Sequence, residues 1–131
     1  MRSFCAFAGS AYAGLMNHAF REALAQALAD LDQVDPDRAE LAVGPLRDAI
    51  QHLGEAFNEA LGEAALAGRS VRQLASEAGM APNSIPPRLG ASHALASYAE
   101  GGRVSGDALA RARYDRRQPM RFTRRRPTDL Q

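Results

Sequence analysis

Lysine and tryptophan are absent from this 131-residue chain, and cysteine occurs once, at Cys5. A lone thiol closes no intrachain disulfide and builds no cysteine-based metal site, so a cross-linked secreted scaffold and a zinc ribbon are both excluded. That usage suits a reducing cytoplasm, the location the sequence predicts. No stretch approaches the roughly 18 to 20 uninterrupted apolar residues that cross a bilayer, and no membrane role is expected. Residues 1–16 begin with one arginine and continue with small and apolar residues. Gly9, Ser10 and Gly14 interrupt them, and the Leu/Ile/Val run of a secretory signal is missing. Aromatic residues are sparse at 6%, while an apolar fraction of 46% and a charged fraction of 24% are those of one compact domain or two very small ones. Chemistry is thinly represented as well. There is no glycine-rich phosphate loop and no nucleophile elbow. His18 and Glu22 share a helix face, but His52 and His93 fall on other elements, so neither catalysis, a metal nor a cofactor is expected.

What the chain has instead is arginine and alanine. All sixteen basic residues are arginine, and alanine fills about a fifth of the sequence. Alanine is the strongest helix former, so the composition leans to an all-α fold. The same bias follows from a GC-rich coding genome and carries no function by itself. The distribution of charge says more. Residues 1–67 hold four arginines against ten acids, a net −6, and residues 68–131 hold twelve against five, a net +7. The overall +1 conceals an acidic half and a basic half, a pattern of chains with a polyanion-binding end.

Apolar periodicity predicts helices nearly throughout. Met16, Phe20, Leu24, Leu28 and Leu31 form one stripe over 11–32. Asp35-Pro36 reads as an N-cap with proline at the first helical position, Gly44-Pro45 as a break, and Leu46, Ile50, Leu53, Phe57 and Leu61 as one face of a longer helix. Ser70-Val71-Arg72-Gln73 is a capping-box pattern that opens a short helix over 71–78, stopped by Gly79. Ser105 caps a last helix to about Arg117, which Pro119 ends. Met120-Arg121-Phe122-Thr123 alternates as a wing-like strand would. The organisation expected is an N-terminal helical segment over 1–45 that makes a helical hairpin with the next long helix. A trihelical unit occupies 46–117 and includes an arginine-rich C-terminal helix, and an arginine-rich arm runs over 118–131.

Four segments carry a resemblance: Ala56-Phe57-Asn58-Glu59-Ala60-Leu61, Ser70-Val71-Arg72-Gln73-Leu74-Ala75, Ala78-Gly79-Met80 and Ser84-Ile85. Ala75 stands where two crossing helices touch, Gly79 is free to take positive φ in a tight turn, and Leu74, Met80, Ile85 and Leu89 are spaced to close a small core beneath it. Over about 35 residues the chain resembles the helix-turn-helix of prokaryotic transcriptional regulators. The resemblance implies that the second helix of the motif enters the major groove of double-stranded DNA, with Pro82, Asn83, Ser84, Pro86, Pro87 and Arg88 at its leading end. Two prolines stand where polar residues are usual. Either the helix starts late, with Ser84 as its cap and both prolines in its first turn, and runs to about Ala99, or it is kinked and reads bases poorly; the late start is the expectation.

On that footing Asn83 pairs with adenine and Arg88 with guanine. Ser70, Arg72 and Gln73 are placed for phosphates, and Arg103, Arg111, Arg113, Arg116 and Arg117 continue the basic surface. Arg124 and Arg125 lie in the arm along a groove. Apolar surface in the N-terminal helices predicts a homodimer with Phe20, Leu24 and Leu28 among its contacts, because two-fold dimers read paired half-sites. Two readings result. One is a sequence-specific DNA-binding regulator. The other is a non-catalytic protein-binding adaptor or inhibitor, or an architectural DNA binder, built on the same trihelical unit.

Overall fold

The computed structural model describes residues 18–117. Among them are five α-helices and no strand: α1 His18–Asp32, α2 Val43–Leu66, α3 Val71–Ala78, α4 Ile85–Gly90 and α5 Gly106–Arg117. Short 3₁₀ turns occupy Ala39–Leu41, Pro82–Ser84 and Ala96–Tyr98. The fold class is all-α.

The start of α2 departs from the sequence reading twice. Asp35-Pro36 opens a turn and not a helix: the Asp35 carboxylate accepts from the Asp37 amide at 2.9 Å and its carbonyl from the Arg38 amide at 3.0 Å. Such side-chain-to-backbone bonds compete with helical ones. Gly44-Pro45 does not break a helix either, because α2 begins at Val43 and Pro45 sits in its first turn. The amide that proline lacks has no helical partner there, so nothing is lost.

α1 runs back along α2 as far as Glu59, as the Asp30–His52 contact and the shared lining of His18, Glu22, Glu55 and Glu59 indicate. Their seam is made of alanine: Ala23, Ala27, Ala49 and Ala56 are all buried. Side chains this small let the helix backbones approach closely. Leu24, Leu28, Ile50 and Phe57 each follow one of these alanines by one position, about 100° round the helix. In an antiparallel pair, equal rotations in the same sense bring Leu24 and Leu28 out on the same side as Ile50 and Phe57. The apolar side of the pair is therefore exposed, with Leu28 at 61%, Ile50 at 70% and Val43 at 75%.

The core lies at the other end of α2. Leu61 and Ala65 of α2 meet Leu74 and Ala75 of α3, Ile85 and Leu89 of α4, and Leu109 and Ala112 of α5, with Leu95 and Val104 from the connecting segments. Each fully buried leucine contributes roughly 2 kcal/mol. The short α3 is held at both ends by local chemistry. The Ser70 hydroxyl accepts from the Gln73 amide at 3.0 Å while the Ser70 amide donates to the Gln73 side chain at 2.9 Å. Gly79 ends the helix at φ 69°, ψ 34°, and the Met80 amide closes back on the Ala75 carbonyl at 3.0 Å.

α4 begins late, with Pro86 and Pro87 in its first turn, but Ser84 makes no side-chain cap and the helix stops at Gly90, well short of Ala99. Its carbonyls are taken by other partners: the Ser92 hydroxyl donates to the Leu89 carbonyl at 2.7 Å, and the His93 amide leaves for the Glu59 carboxylate at 3.0 Å. Downstream, Glu100 and Arg103 exchange backbone bonds of 2.8 and 3.2 Å around Gly101 and Gly102, whose φ values are 61° and 78°. This tight reversal packs on α4, the Val104 amide donating to the Pro86 carbonyl at 3.2 Å. The wing-like strand expected over 120–123 lies outside the described residues. Ser105 caps α5 as expected, accepting from the Ala108 amide at 3.1 Å.

Candidate nucleic-acid interface

The segment Ala81–Ser84 between α3 and α4 is exposed along its whole length. Ile85 and Leu89 anchor α4 in the core, and Gly79 turns the chain sharply at the end of α3. Pro82, Asn83 and Ser84 are thus presented to solvent on a braced 3₁₀ turn. Arg72 is exposed on the first turn of α3, Arg103 on the Gly-Gly reversal and Arg117 at the end of α5. Ser70 and Gln73 are exposed too, but their side chains are occupied with the capping box.

Other sequence-derived candidates are committed elsewhere. Arg88 is turned back onto α2, where its guanidinium donates to the Asn58 side chain at 3.0 Å and lies 5.3 Å from the centre of the Phe57 ring. A cation over an aromatic face is held by the ring quadrupole. Arg113 donates to the Ala65 carbonyl at 2.8 Å and the Arg69 carbonyl at 2.9 Å, tying α5 to the corner between α2 and α3. Arg116 pairs with Glu63 at 2.8 Å and Arg69 with Glu77. Arg124 and Arg125 lie outside the described residues.

No family model, curated protein or solved structure matches this chain.

Periodicity does not disclose Glu59. It is buried on α2 and accepts from both the amide and the ring Nδ1 of His93, the latter at 2.6 Å. It therefore fixes the segment after α4 to the long helix. The one sign of it in the sequence is a carboxylate on the motif's first helix, three residues before Gly62. Tyr98 binds α5 in a similar way, its hydroxyl donating to Asp115 at 2.6 Å. That bond, with burial, raises the phenol above its usual range.

Beside the interface, a cleft of about 720 Å³ opens between α1, α2 and the segment Ala91–His93, lined by His18, Glu22, His52, Glu55, Glu59 and His93. Among the described residues no three histidine, cysteine or carboxylate side chains are grouped to hold a metal ion. No described helix is long and apolar enough to cross a membrane. His52 is raised above its ordinary pKa of 6.5 by its 2.6 Å hydrogen bond to Asp30, against some desolvation, with Glu55 and Asp48 adding to the rise. A raised pKa means the folded chain holds the proton more tightly than the unfolded one. The seam between α1 and α2 should be firmest below pH 6.5 and lose this contribution as pH climbs through the raised value. Thermal unfolding at pH 6 and pH 8.5, buffered at equal ionic strength, should show a lower midpoint at the higher pH. His52→Gln should flatten that difference, and a wild-type midpoint that rises with pH would contradict the assignment.

Proposed function

We propose that this chain is a sequence-specific double-stranded DNA-binding transcriptional regulator, an α-helical hairpin joined to a helix-turn-helix unit. The observation that carries the reading is the exposed Pro82–Ser84 turn, braced between the αL glycine at 79 and the core residue Ile85. A polar tip on a rigid support is what reading a base edge demands. Asn83 and Ser84 take the base-facing role. Arg72, Arg103 and Arg117 take phosphates, with the arm arginines beyond them, and Arg88 serves as the strut that sets the angle of α4 on α2. The negative charge of the acidic half keeps its own end off the polyanion.

The test is selection of the purified chain on a random duplex library at two salt concentrations. Asn83→Ala should cost about 1–3 kcal/mol of discrimination at one position, roughly 5- to 150-fold, while affinity for unrelated duplex stays within a few-fold. Arg72→Ala or Arg103→Ala should weaken all sequences alike and reduce the salt slope by about 1. Arg88→Ala should leave the preferred sequence unchanged. Salt-sensitive binding with no enriched site makes the chain an architectural binder. Absence of binding at low salt removes DNA altogether and selects the adaptor reading, which the exposed apolar side of α1 and α2 favours.

A further inference from the structure

We infer that the apolar side of the α1–α2 pair seats a second copy of this chain, the two pairs meeting face to face as a four-helix bundle. Leu28 and Leu31 on α1 and Val43, Leu46, Ile50 and Leu53 on α2 leave this face exposed on a single copy. With Leu24, Leu41 and Phe57 at its margins, it exposes roughly 800 Å² of apolar surface, about what each partner of a stable interface contributes. The largest apolar patch on an ordinary monomer is roughly 300–600 Å².

Charge narrows the occupant. The residues of the face are aliphatic and aromatic only, while Glu22, Glu55 and Glu59 line the cleft on the other side of the pair and Asp30 is tied to His52. Arg88 lies over Phe57 at one margin and is bonded to Asn58, and Arg47 is paired with Asp48 beside Leu46, so a strongly charged partner would find little free counter-charge here. A second copy brings an apolar surface of the same size and the same two-helix shape, with Glu22, Glu55 and Glu59 in its cleft and not on the contact. A face that is apolar on both helices of an antiparallel pair is self-complementary under a two-fold axis, the requirement of an isologous interface.

This inference rests on the face and not on the DNA reading. Sedimentation velocity of the full chain without DNA, over about 1 to 100 µM, tests it. The wild type should sediment as a dimer in that range. Leu28→Glu with Ile50→Glu should weaken association at least 100-fold while helix content, followed by circular dichroism, is unchanged, since both side chains are exposed in one copy. If the charged pair disturbs folding, Leu28→Gln with Ile50→Gln should show the same shift toward monomer. A wild type that stays monomeric overturns the inference and assigns the face to residues 1–17 or to another protein. A substituted chain that folds and remains fully dimeric overturns it equally. A dimer that binds no duplex keeps this inference and loses the regulator reading, and a monomer that selects a DNA site does the reverse.

Discussion

Alanine at position 90 is expected to destabilise the fold by about 2 kcal/mol, although alanine is the better helix former. A Cβ there would stand 2.5 Å from the Gly102 carbonyl oxygen, 2.9 Å from its carbon and 3.3 Å from the Arg103 amide. All three neighbours are backbone, so no side chain can swing aside. Gly102 is itself fixed at φ 78° by the bonds between Glu100 and Arg103, and Val104 is tied to Pro86. Relief requires the reversal to lift off α4, which loosens those bonds and uncovers Val104. Overpacking of this kind costs about 1–3 kcal/mol, and the helical gain of up to about 1 kcal/mol only partly offsets it once hydrogen bonds are strained as well.

Gly54→Ala is the matched comparison. Its added methyl meets nothing within 4 Å, and it lies inside α2, so that variant should gain about 0.5–1 kcal/mol. Urea unfolding of the two variants beside the wild type reads both signs in one experiment. A Gly90→Ala chain as stable as Gly54→Ala would show that the reversal does not pack on α4 as described. The same lift displaces Arg103, so duplex binding should fall with stability if the proposed interface is correct.

The parts of this fold that are legible in the sequence are those decided within a few residues. The capping box at Ser70 and Gln73, the αL stop at Gly79 and the Ser105 cap are local, and α3 and α5 stand where those residues place them. Gly44-Pro45 misleads because the same proline breaks a helix from the inside and begins one from the first turn, and only the position of the preceding turn decides. The apolar stripes are visible in the sequence as surplus surface, but which side of the helix pair they occupy is not. Period alone reports that Leu24 and Leu28 share one face of α1 and Ile50 and Phe57 one face of α2, whereas the alanine seam decides that neither face meets the neighbouring helix and that the two lie on the same side of the pair. Arg88, Glu59 and Arg113 cannot be assigned from spacing, since their partners lie 30, 34 and 48 residues away in the chain. A run of arginines reads as one basic surface until the fold shows which of them are satisfied within it.

Arg113 makes that distinction measurable. Its guanidinium bridges two carbonyls, Ala65 at the end of α2, which also accepts from the Gly68 amide, and Arg69 just before α3, and so ties α5 across the corner between them. A cation there also complements the negative end of the α2 dipole. Hydrogen bonds from a charged donor contribute about 1.5–3 kcal/mol when buried, and less at this partly exposed corner. Arg113→Ala should therefore lower unfolding stability by about 2 kcal/mol in urea. Arg113→Lys should recover less than half, because one ammonium does not span two carbonyls as the fork does. Duplex affinity measured where both proteins are fully folded should keep its salt slope. Arg117→Ala should do the opposite under the DNA reading, leaving stability within about 0.5 kcal/mol and reducing the salt slope by about 1. Were Arg113→Ala to flatten the slope without loss of stability, the guanidinium would belong to a phosphate contact, and the corner between α2 and α3 would be held by the core alone.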